Sequence, residues 1–241
     1  MGFLREKYTK EYYTGRDEKG QPAGYGALGA DEWRQGGILH EIREPIDLGR
    51  LEGADVLEIG FGRGESARYM LREKGVRRYV GVDFSDNARE LAIETLASCD
   101  PARYRLETAD ALEFLRRERF ESEFDAVFML DTIEHIPLTE IGEILALIHK
   151  GLRRDGDLII DTPFYPIAED YIAQSCRHAH PSPTDLHPKT AGMHCSKYSR
   201  QSLLRTVTRA GLKRISDKQF RKRPPALWRR LLSLMKGGMA A

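Results

Sequence analysis

VLEIGFGRGES, residues 56–66, is the stretch of sequence that decides the fold of this chain. An apolar strand stops at Gly60, and further glycines at Gly62 and Gly64 lead directly into a helix start. Glycine accepts positive φ and lacks a Cβ, so a ligand can lie against the main chain at such a turn. A strand-to-helix turn also delivers the chain to the carboxyl edge of a parallel sheet, where ligands bind and helical N–H groups face them.

The chain around this turn alternates short apolar runs with amphipathic stretches. Strands are predicted at residues 54–60, 78–84, 102–110, 124–131, 156–163 and 212–220, with helices between them. Continuously apolar strands that alternate with helices indicate a parallel sheet that is covered on both faces. The predicted fold class is therefore α/β, a doubly wound, mainly parallel sheet of about six or seven strands.

Composition is typical of a globular enzyme from a reducing compartment. Hydrophobic residues make up 41% of the chain, charged residues 31%, and the formal net charge is only +1. Three cysteines without a CxxC pair argue against a disulfide framework. The N-terminus lacks the apolar core of a secretory signal, and no run is long and apolar enough to span a membrane. A cytoplasmic protein is expected.

Further motifs follow the glycine turn in a fixed order. They are GVDFS (81–85), TADAL (108–112), MLDTIEHI (129–136) and RRDGDLIIDTP (153–163). Glu65 takes the place of the last glycine of a dinucleotide fingerprint, so that ligand class is disfavoured. The ordered set resembles the class I, Rossmann-like S-adenosylmethionine-dependent methyltransferases of small-molecule type. SKYSRQSLLRTVTRAGL (196–212) is similar to the late helix of that family.

The resemblance implies S-adenosyl-L-methionine as the cofactor and S-adenosyl-L-homocysteine as its product. An acid at the position of Asp83 can accept both ribose hydroxyls. In the family, an acid placed like Asp110 takes the adenine amino group, and the next N–H, here of Ala111, faces the ring. The predicted cofactor-binding residues are Glu58, Gly60, Gly62, Gly64, Asp83, Phe84, Asp110, Ala111 and Leu130.

The predicted catalytic residues follow the fourth and fifth strands. His135 is the candidate base, because imidazole titrates near neutral pH and related O-methyltransferases with a D-x-x-x-H pattern use this histidine. Asp161 ends the next strand and could orient His135. The alternatives are that His135 stacks on the cofactor or caps the next helix, and that Asp161 caps the turn before Pro163.

The sheet is predicted to carry three attached segments. Residues 1–48 are expected to form a lid and lead-in helix, and residues 49–220 the cofactor-binding methyltransferase domain. Residues 163–198 are an insert after the fifth strand on the acceptor side, and residues 221–241 a basic amphipathic tail. Predicted substrate contacts are Tyr13, Tyr25 and His194. The alternative for the first 30 residues is a frayed terminus.

The insert is rich in potential metal ligands. These are Cys176, His178, His180, His187, His194 and Cys195. Their spacing fits no standard zinc finger, and methyl transfer does not require zinc, so no metal is predicted. They are expected to line the acceptor cavity or a loop that closes over it.

The C-terminal tail leaves two matters open. PPALWRRLLSLMKGG (224–238) has one apolar helical face and is predicted as a helix, so a seventh strand is missing, displaced or outside this sequence. Nine Lys or Arg side chains and one acid lie between Lys213 and Lys236, which suits an anionic surface or simply a solvated helix face. The oligomeric state is not predicted.

The sequence is compatible with more than one function. The leading hypothesis is an enzyme that methylates a small-molecule acceptor, with oxygen as the expected atom and His135 as base. The alternatives are a methyltransferase of a macromolecule or membrane-borne acceptor (RNA, protein or lipid), and N-methylation by proximity alone. A third hypothesis is a cofactor-binding module without catalysis.

Overall fold

Seven strands form a single sheet in the computed structural model, which describes residues 8–15, 30–163, 196–221 and 228–235. The strands are β1 (Asp55–Ile59), β2 (Arg78–Asp83), β3 (Tyr104–Thr108), β4 (Phe124–Leu130), β5 (Leu152–Pro163), β6 (Lys213–Arg221) and β7 (Trp228–Met235). Their order across the sheet is β3-β2-β1-β4-β5-β7-β6. The first five strands pair in parallel, and β7 pairs antiparallel with both β5 and β6. The predicted α/β fold class is confirmed.

Four of the eight described α-helices follow the carboxyl ends of strands β1 to β4. The described helices are α1 (Lys10–Thr14), α2 (Ala30–Arg34), α3 (His40–Asp47), α4 (Glu65–Arg72), α5 (Asp86–Thr95), α6 (Ala111–Glu118), α7 (Leu138–Gly151) and α8 (Arg200–Arg209). Ser85 caps α5, Asp110 caps α6, and Ser199 forms a capping box with Ser202 at α8. These caps satisfy helical N–H groups that would otherwise lack acceptors. They also fix the helix starts along one edge of the sheet.

The core lies on both faces of the sheet. Alternate residues of a strand point to opposite faces, so Val56 and Leu57 of β1 enter different apolar clusters. The Leu57 cluster includes buried residues of α6, α7 and α8, and the Val56 cluster includes buried residues of α3, α4 and α5. This two-sided burial is the reason that the strands read as continuous apolar runs.

The predicted C-terminal helix is wrong. Residues 228–235 are strand β7, whose register pairs Leu232 with Ile160 of β5 and with Asp217 of β6. The seventh strand is therefore present, and the sheet extends into the segment that the sequence assigned to a tail. A short apolar run with mixed period fits a helix or a strand locally. The free edge of β5 supplies ladder partners that favour the strand, a tertiary effect that local periodicity does not contain.

The lead-in segment also differs from the prediction. Residues 31–48 were expected as one helix, but α2 and α3 are separate helices. Gly36, at φ 78°, follows the end of α2, and its N–H donates to the Trp33 carbonyl. Positive φ ends a helix readily at glycine, which is the physical reason for the break.

The expectations of no membrane-spanning segment and no metal site can be compared with the described residues only. There, no helix is long and apolar enough to cross a membrane, and no group of three or more His, Cys, Asp or Glu side chains could hold a metal ion. The candidate ligands of the insert, from Cys176 to Cys195, lie outside the described residues.

Candidate active site

A cleft opens at the carboxyl edge of β1, β2, β3 and β4. It encloses about 890 Å³ of empty space, including its open mouth. Most of the predicted cofactor residues line it, together with the predicted base. These are Glu58, Gly60, Gly62, Asp83, Phe84, Asp110, Ala111, Leu130 and His135. Residues far apart in sequence meet here because parallel strands end at the same edge of the sheet.

The three glycines of the turn have different roles. Gly60 has φ 81°, and an added Cβ would lie 2.4 Å from Oγ1 of Thr132. Gly62 has φ 52° and faces open space in the cleft, since nothing lies within 4 Å of an added Cβ. Gly64, at φ 80°, packs against Ala92 of α5, whose Cα would lie 3.0 Å from a Cβ. Gly62 is therefore the glycine that offers bare main chain to a ligand, and Gly64 serves helix packing.

Glu58 is a buried carboxylate held by two hydroxyl donors. Its side chain is 1% exposed, and its Oε2 accepts from Tyr79 Oη at 2.5 Å and from Ser66 Oγ at 2.8 Å. Burial raises the pKa of Glu58 to about 7, against the opposing effect of these hydrogen bonds. A cation in the cleft would favour the ionised form of this group.

Asp83 closes the glycine turn as well as ending β2. Its Oδ2 accepts from the N–H of Gly62 at 3.0 Å, and its Oδ1 accepts from the N–H of Ser85 at 3.0 Å. Burial raises the pKa of Asp83 to about 6 despite these backbone hydrogen bonds. The carboxylate has lone pairs left for hydroxyl donors, as the predicted ribose contact requires. Sequence reasoning did not foresee its link to Gly62.

Asp110 lines the cleft and is the predicted adenine contact. Its Oδ1 caps α6, accepting from the N–H groups of Leu112 and Glu113 at 2.9 and 3.3 Å. Its Oδ2 is buried and has no hydrogen-bond partner among the described residues. An amino group is the donor that this oxygen fits. Burial and then the charge of Asp110 raise the pKa of Glu140, a neighbouring acid that sequence reasoning missed.

His135 is hydrogen-bonded to a residue from the start of the chain. Its Nδ1 lies 2.9 Å from the hydroxyl of Tyr8, and the Tyr8 side chain is buried. The Tyr8 ring packs edge-on against Phe84 with the centroids 4.5 Å apart. The sequence predicted a lid at the N-terminus, but no local signal singled out Tyr8 as the partner of His135.

The N-terminal residues 8–15 pack over the cleft, and we call this segment the lid. Tyr8, Tyr12 and Tyr13 of the lid line the cleft. Asn87 Nδ2 donates to the Tyr8 carbonyl at 3.0 Å, which attaches the lid to α5. Tyr13 thus lies where a substrate contact was predicted. The other predicted contacts, Tyr25 and His194, lie outside the described residues.

Asp161 is buried at the end of β5 but does not line the cleft. Its carbonyl accepts from the N–H of Asp131 at 2.9 Å, which joins the ends of β4 and β5. A second buried acid, Glu134, precedes His135 and accepts from Thr162 Oγ1 at 2.9 Å. The orienting role of Asp161 stays a prediction.

Comparison with protein families matches most of this chain. The family model described as a methyltransferase domain matches residues 31–217. The chain belongs to this family. The prediction of a methyltransferase domain is thereby confirmed, and S-adenosylmethionine is its predicted cofactor. The cleft fits that cofactor, given the buried acceptor on Asp110 and the open main chain at Gly62.

Two curated relatives match the chain over part of its length. Phosphoethanolamine N-methyltransferase 2 of Caenorhabditis elegans is 37% identical over 109 residues, which is 45% of this chain and 23% of the relative. Phosphoethanolamine N-methyltransferase of Plasmodium falciparum is 26% identical over 125 residues, or 52% and 45% of the two chains. The matched stretch thus spans less than half the length of either relative.

Several solved structures share the fold. 1,6-Didemethyltoxoflavin-N1-methyltransferase of Burkholderia thailandensis, bound to S-adenosylhomocysteine, has a TM-score of 0.63 at 21% identity, covering 98% of this chain and 88% of that chain. Phosphoethanolamine N-methyltransferase 2 of Haemonchus contortus, in complex with S-adenosylmethionine, has a TM-score of 0.63 at 17% identity, covering 98% and 59%. The [4+2]-cyclase SpnF has a TM-score of 0.63 at 14% identity, covering 81% and 80%. At these identities the likeness concerns the fold alone.

Proposed function

We propose that the chain methylates a small-molecule amine, and that the Tyr8–His135 pair accepts the proton that the amine must lose. The observation that carries this proposal is the 2.9 Å contact between Tyr8 Oη and His135 Nδ1 in the cofactor cleft. When bound, S-adenosylmethionine supplies an activated methyl group for in-line transfer. The protein then has to orient the nucleophile and take its proton.

A proton acceptor matters for an amine as much as for a hydroxyl. A primary alkyl amine resembles the lysine side chain and is largely protonated at neutral pH, when it has no free lone pair. His135 can take that proton through Nε2 while Tyr8 holds Nδ1 and so fixes the ring orientation and tautomer. N-methylation by proximity alone makes a different prediction, because loss of His135 would then lower turnover very little.

The charge of the cleft favours a cationic acceptor. Its described lining contains five carboxylates and no Lys or Arg side chain; the acids are Glu58, Glu65, Asp83, Asp110 and Asp131. Glu65 is ion-paired with the buried Arg63, so the other four acids supply the negative field, which attracts an ammonium group and disfavours an anion. The names of both curated relatives, phosphoethanolamine N-methyltransferases, support an amino alcohol or its phosphate ester as the acceptor class. Since the described lining offers no cation for a phosphate, the unesterified amine belongs in the same test.

The test is methyl transfer by the full chain to a matched panel of acceptors. The panel contains phosphoethanolamine, ethanolamine and a catechol, each with methyl-labelled S-adenosylmethionine, and the products are identified by mass spectrometry. Label on the nitrogen of either amine is the expected result. Transfer only to the catechol would contradict the amine and restore the oxygen acceptor expected from the sequence.

The remaining alternatives need a second panel. RNA, a protein extract and lipid vesicles serve as acceptors for the macromolecular and membrane-borne hypotheses. Label on one of these, with none on the small amines, would overturn the proposal. Cofactor binding without transfer to any acceptor would leave the chain as a binding module.

A further inference from the structure

Arg63 is a fully buried cation inside the glycine turn. It lies between Gly62 and Gly64, and only 1% of it is exposed. Its guanidinium makes a two-point contact with Glu65, with Nε donating to Oε2 at 2.9 Å and Nη2 donating to Oε1 at 2.7 Å. A buried charge requires such a partner, because desolvation otherwise disfavours it strongly. The pair anchors Arg63 to the first residue of α4.

The remaining terminal nitrogen of Arg63 reaches the lid. Nη1 donates to the main-chain carbonyl of Tyr13 at 3.0 Å, near the end of α1. The guanidinium also lies over the ring of Trp33 in α2, 5.3 Å from its centroid. A planar group with five donors in a fixed arrangement can serve Glu65 and Tyr13 at once, which a lysine cannot do.

The lid is attached at both of its ends to elements of the cofactor site. Near its start, Asn87 of α5 donates to the Tyr8 carbonyl, four residues after Asp83. Near its end, Arg63 of the glycine turn donates to the Tyr13 carbonyl. The side chain of Tyr8 projects from this clamped segment to His135. The position of Tyr8 therefore depends on how the glycine turn and α5 are arranged.

We propose that Arg63 is a positioning residue that fastens the lid to the glycine turn and so holds Tyr8 against His135. The cofactor loop and the proton-accepting pair are thereby assembled together, which favours acceptor binding after the cofactor. The attachment of the lid to the glycine turn is argued from the contacts of Arg63 and is independent of the proposed function. Only its effect on turnover rests on the proposed function.

The attachment is tested by hydrogen exchange on the full chain with S-adenosylhomocysteine bound. Because a hydrogen bond from a charged donor is lost, Arg63→Gln should lower amide protection in the peptide covering residues 8–15 by about tenfold. Protection in β1 should stay within about twofold of the wild type on this basis. The matched control is Arg116→Gln, which removes an exposed two-point contact with Glu143 and should leave the lid unchanged.

A kinetic measurement separates positioning from mere structural support. Arg63→Gln should lower kcat by about tenfold at saturating cofactor. In a Tyr8→Phe background the same substitution should lower kcat little further, because both changes disrupt the contact between Tyr8 and His135. Multiplicative losses in the double variant would overturn the proposal. So would unchanged lid protection, or an equal loss of protection in β1 and the lid. If Arg63→Gln loses lid protection but the wild-type chain methylates no acceptor, the proposed function is contradicted and the attachment of the lid by Arg63 is supported.

Removal of Arg63 alone leaves Glu65 as a lone buried acid, which can prevent folding. If Arg63→Gln does not fold, the double variant Arg63→Gln/Glu65→Gln removes both charges and carries the exchange measurement. The same tenfold loss of protection in the lid is expected for it, since a glutamine is too short to keep both contacts. Wild-type protection of the lid in this double variant would overturn the proposal.

Discussion

Tyr8 and His135 are separated by 127 residues of sequence, yet the tyrosine hydroxyl lies 2.9 Å from Nδ1 of the imidazole. The contact joins the lid to the turn that follows β4, and both residues line the same cleft as the ends of β1 and β2. An imidazole whose Nδ1 is engaged by a hydroxyl exchanges protons through Nε2. Under the proposed function this pair is the proton acceptor, and the first prediction tests that role.

His135→Ala should lower kcat by roughly 10²–10⁴ while leaving cofactor affinity nearly intact, because the change removes a proton acceptor and no cofactor contact. The loss should shrink as the pH rises, since the acceptor then loses its proton unaided. The measurement is the pH profile of kcat for wild type and variant. His40→Ala, at an exposed position of α3, is the matched control and should retain wild-type turnover. A variant with a parallel pH profile and near wild-type turnover would exclude His135 as the base.

Asp83→Ala should weaken binding of S-adenosylmethionine and S-adenosylhomocysteine by about tenfold or more, since hydrogen bonds to a charged group contribute roughly 1.5–3 kcal/mol. The variant also releases the N–H of Gly62, so the glycine turn should loosen. Calorimetric titration of both ligands measures the effect. Asp86→Ala, at an exposed acid in the first turn of α5, is the control. Equal affinities for the Asp83 variant and the wild type would remove Asp83 from the cofactor site.

Glu58 should make stability fall with rising pH. Its pKa is about 7 in the folded chain, above the ordinary value of 4.5, so the folded state binds the proton more tightly. The stability that this group contributes is complete below about pH 4.5 and is lost as the pH rises through 7. Relative to Glu58→Gln, the free energy of unfolding of the wild type should drop on the order of 3 kcal/mol over that range.

Urea unfolding without cofactor, from pH 5 to pH 8, measures this difference. Glu90→Gln, at an exposed position of α5, should keep the wild-type slope. Parallel pH curves for Glu58→Gln and the wild type would show that Glu58 keeps its ordinary pKa in the folded chain.

Two glycine substitutions should separate folding from binding. Gly60→Ala puts a Cβ 2.4 Å from Thr132 Oγ1 at φ 81°, so it should destabilise the fold by a few kcal/mol. The added Cβ of Gly62→Ala meets no protein atom, so the substitution should cost about 1–2 kcal/mol of backbone strain. Its effect on cofactor affinity should be larger than its effect on the stability of the fold. Gly142→Ala in α7 is the control and should be neutral or stabilising. Thermal unfolding and calorimetry give the two readouts, and equal cofactor affinity in Gly62→Ala and the wild type would contradict the assignment.

Deletion of residues 1–15 should reduce kcat more than cofactor affinity, because it removes Tyr8 and opens the cleft to water while leaving the strand ends in place. Steady-state kinetics and calorimetry on the shortened chain test this. Wild-type turnover in the shortened chain would show that the lid has no catalytic role and would favour the alternative of a frayed terminus.

Periodicity and turn chemistry were enough to predict the parallel sheet and the location of the cofactor site. The strands β1, β2, β4 and β5 each carry an apolar run, and Gly60, Asp83 and Asp110 lie at or just beyond the ends of β1, β2 and β3. These signals are local, because burial on two faces and a ligand at the strand ends act on consecutive residues. The family motifs could therefore be recognised without coordinates.

The tertiary structure alone decided the relationships that depend on long-range contacts. Residues 228–235 fit a helix by local period, yet the open edge of β5 makes them a strand. Gly64 packs closely against the neighbouring α5, and Arg63 donates a hydrogen bond to the lid. Tyr8 meets His135 only when the lid folds over the sheet. Sequence patterns reflect the local preferences of a segment, whereas these contacts depend on which segment, distant in sequence, packs against it in the folded chain.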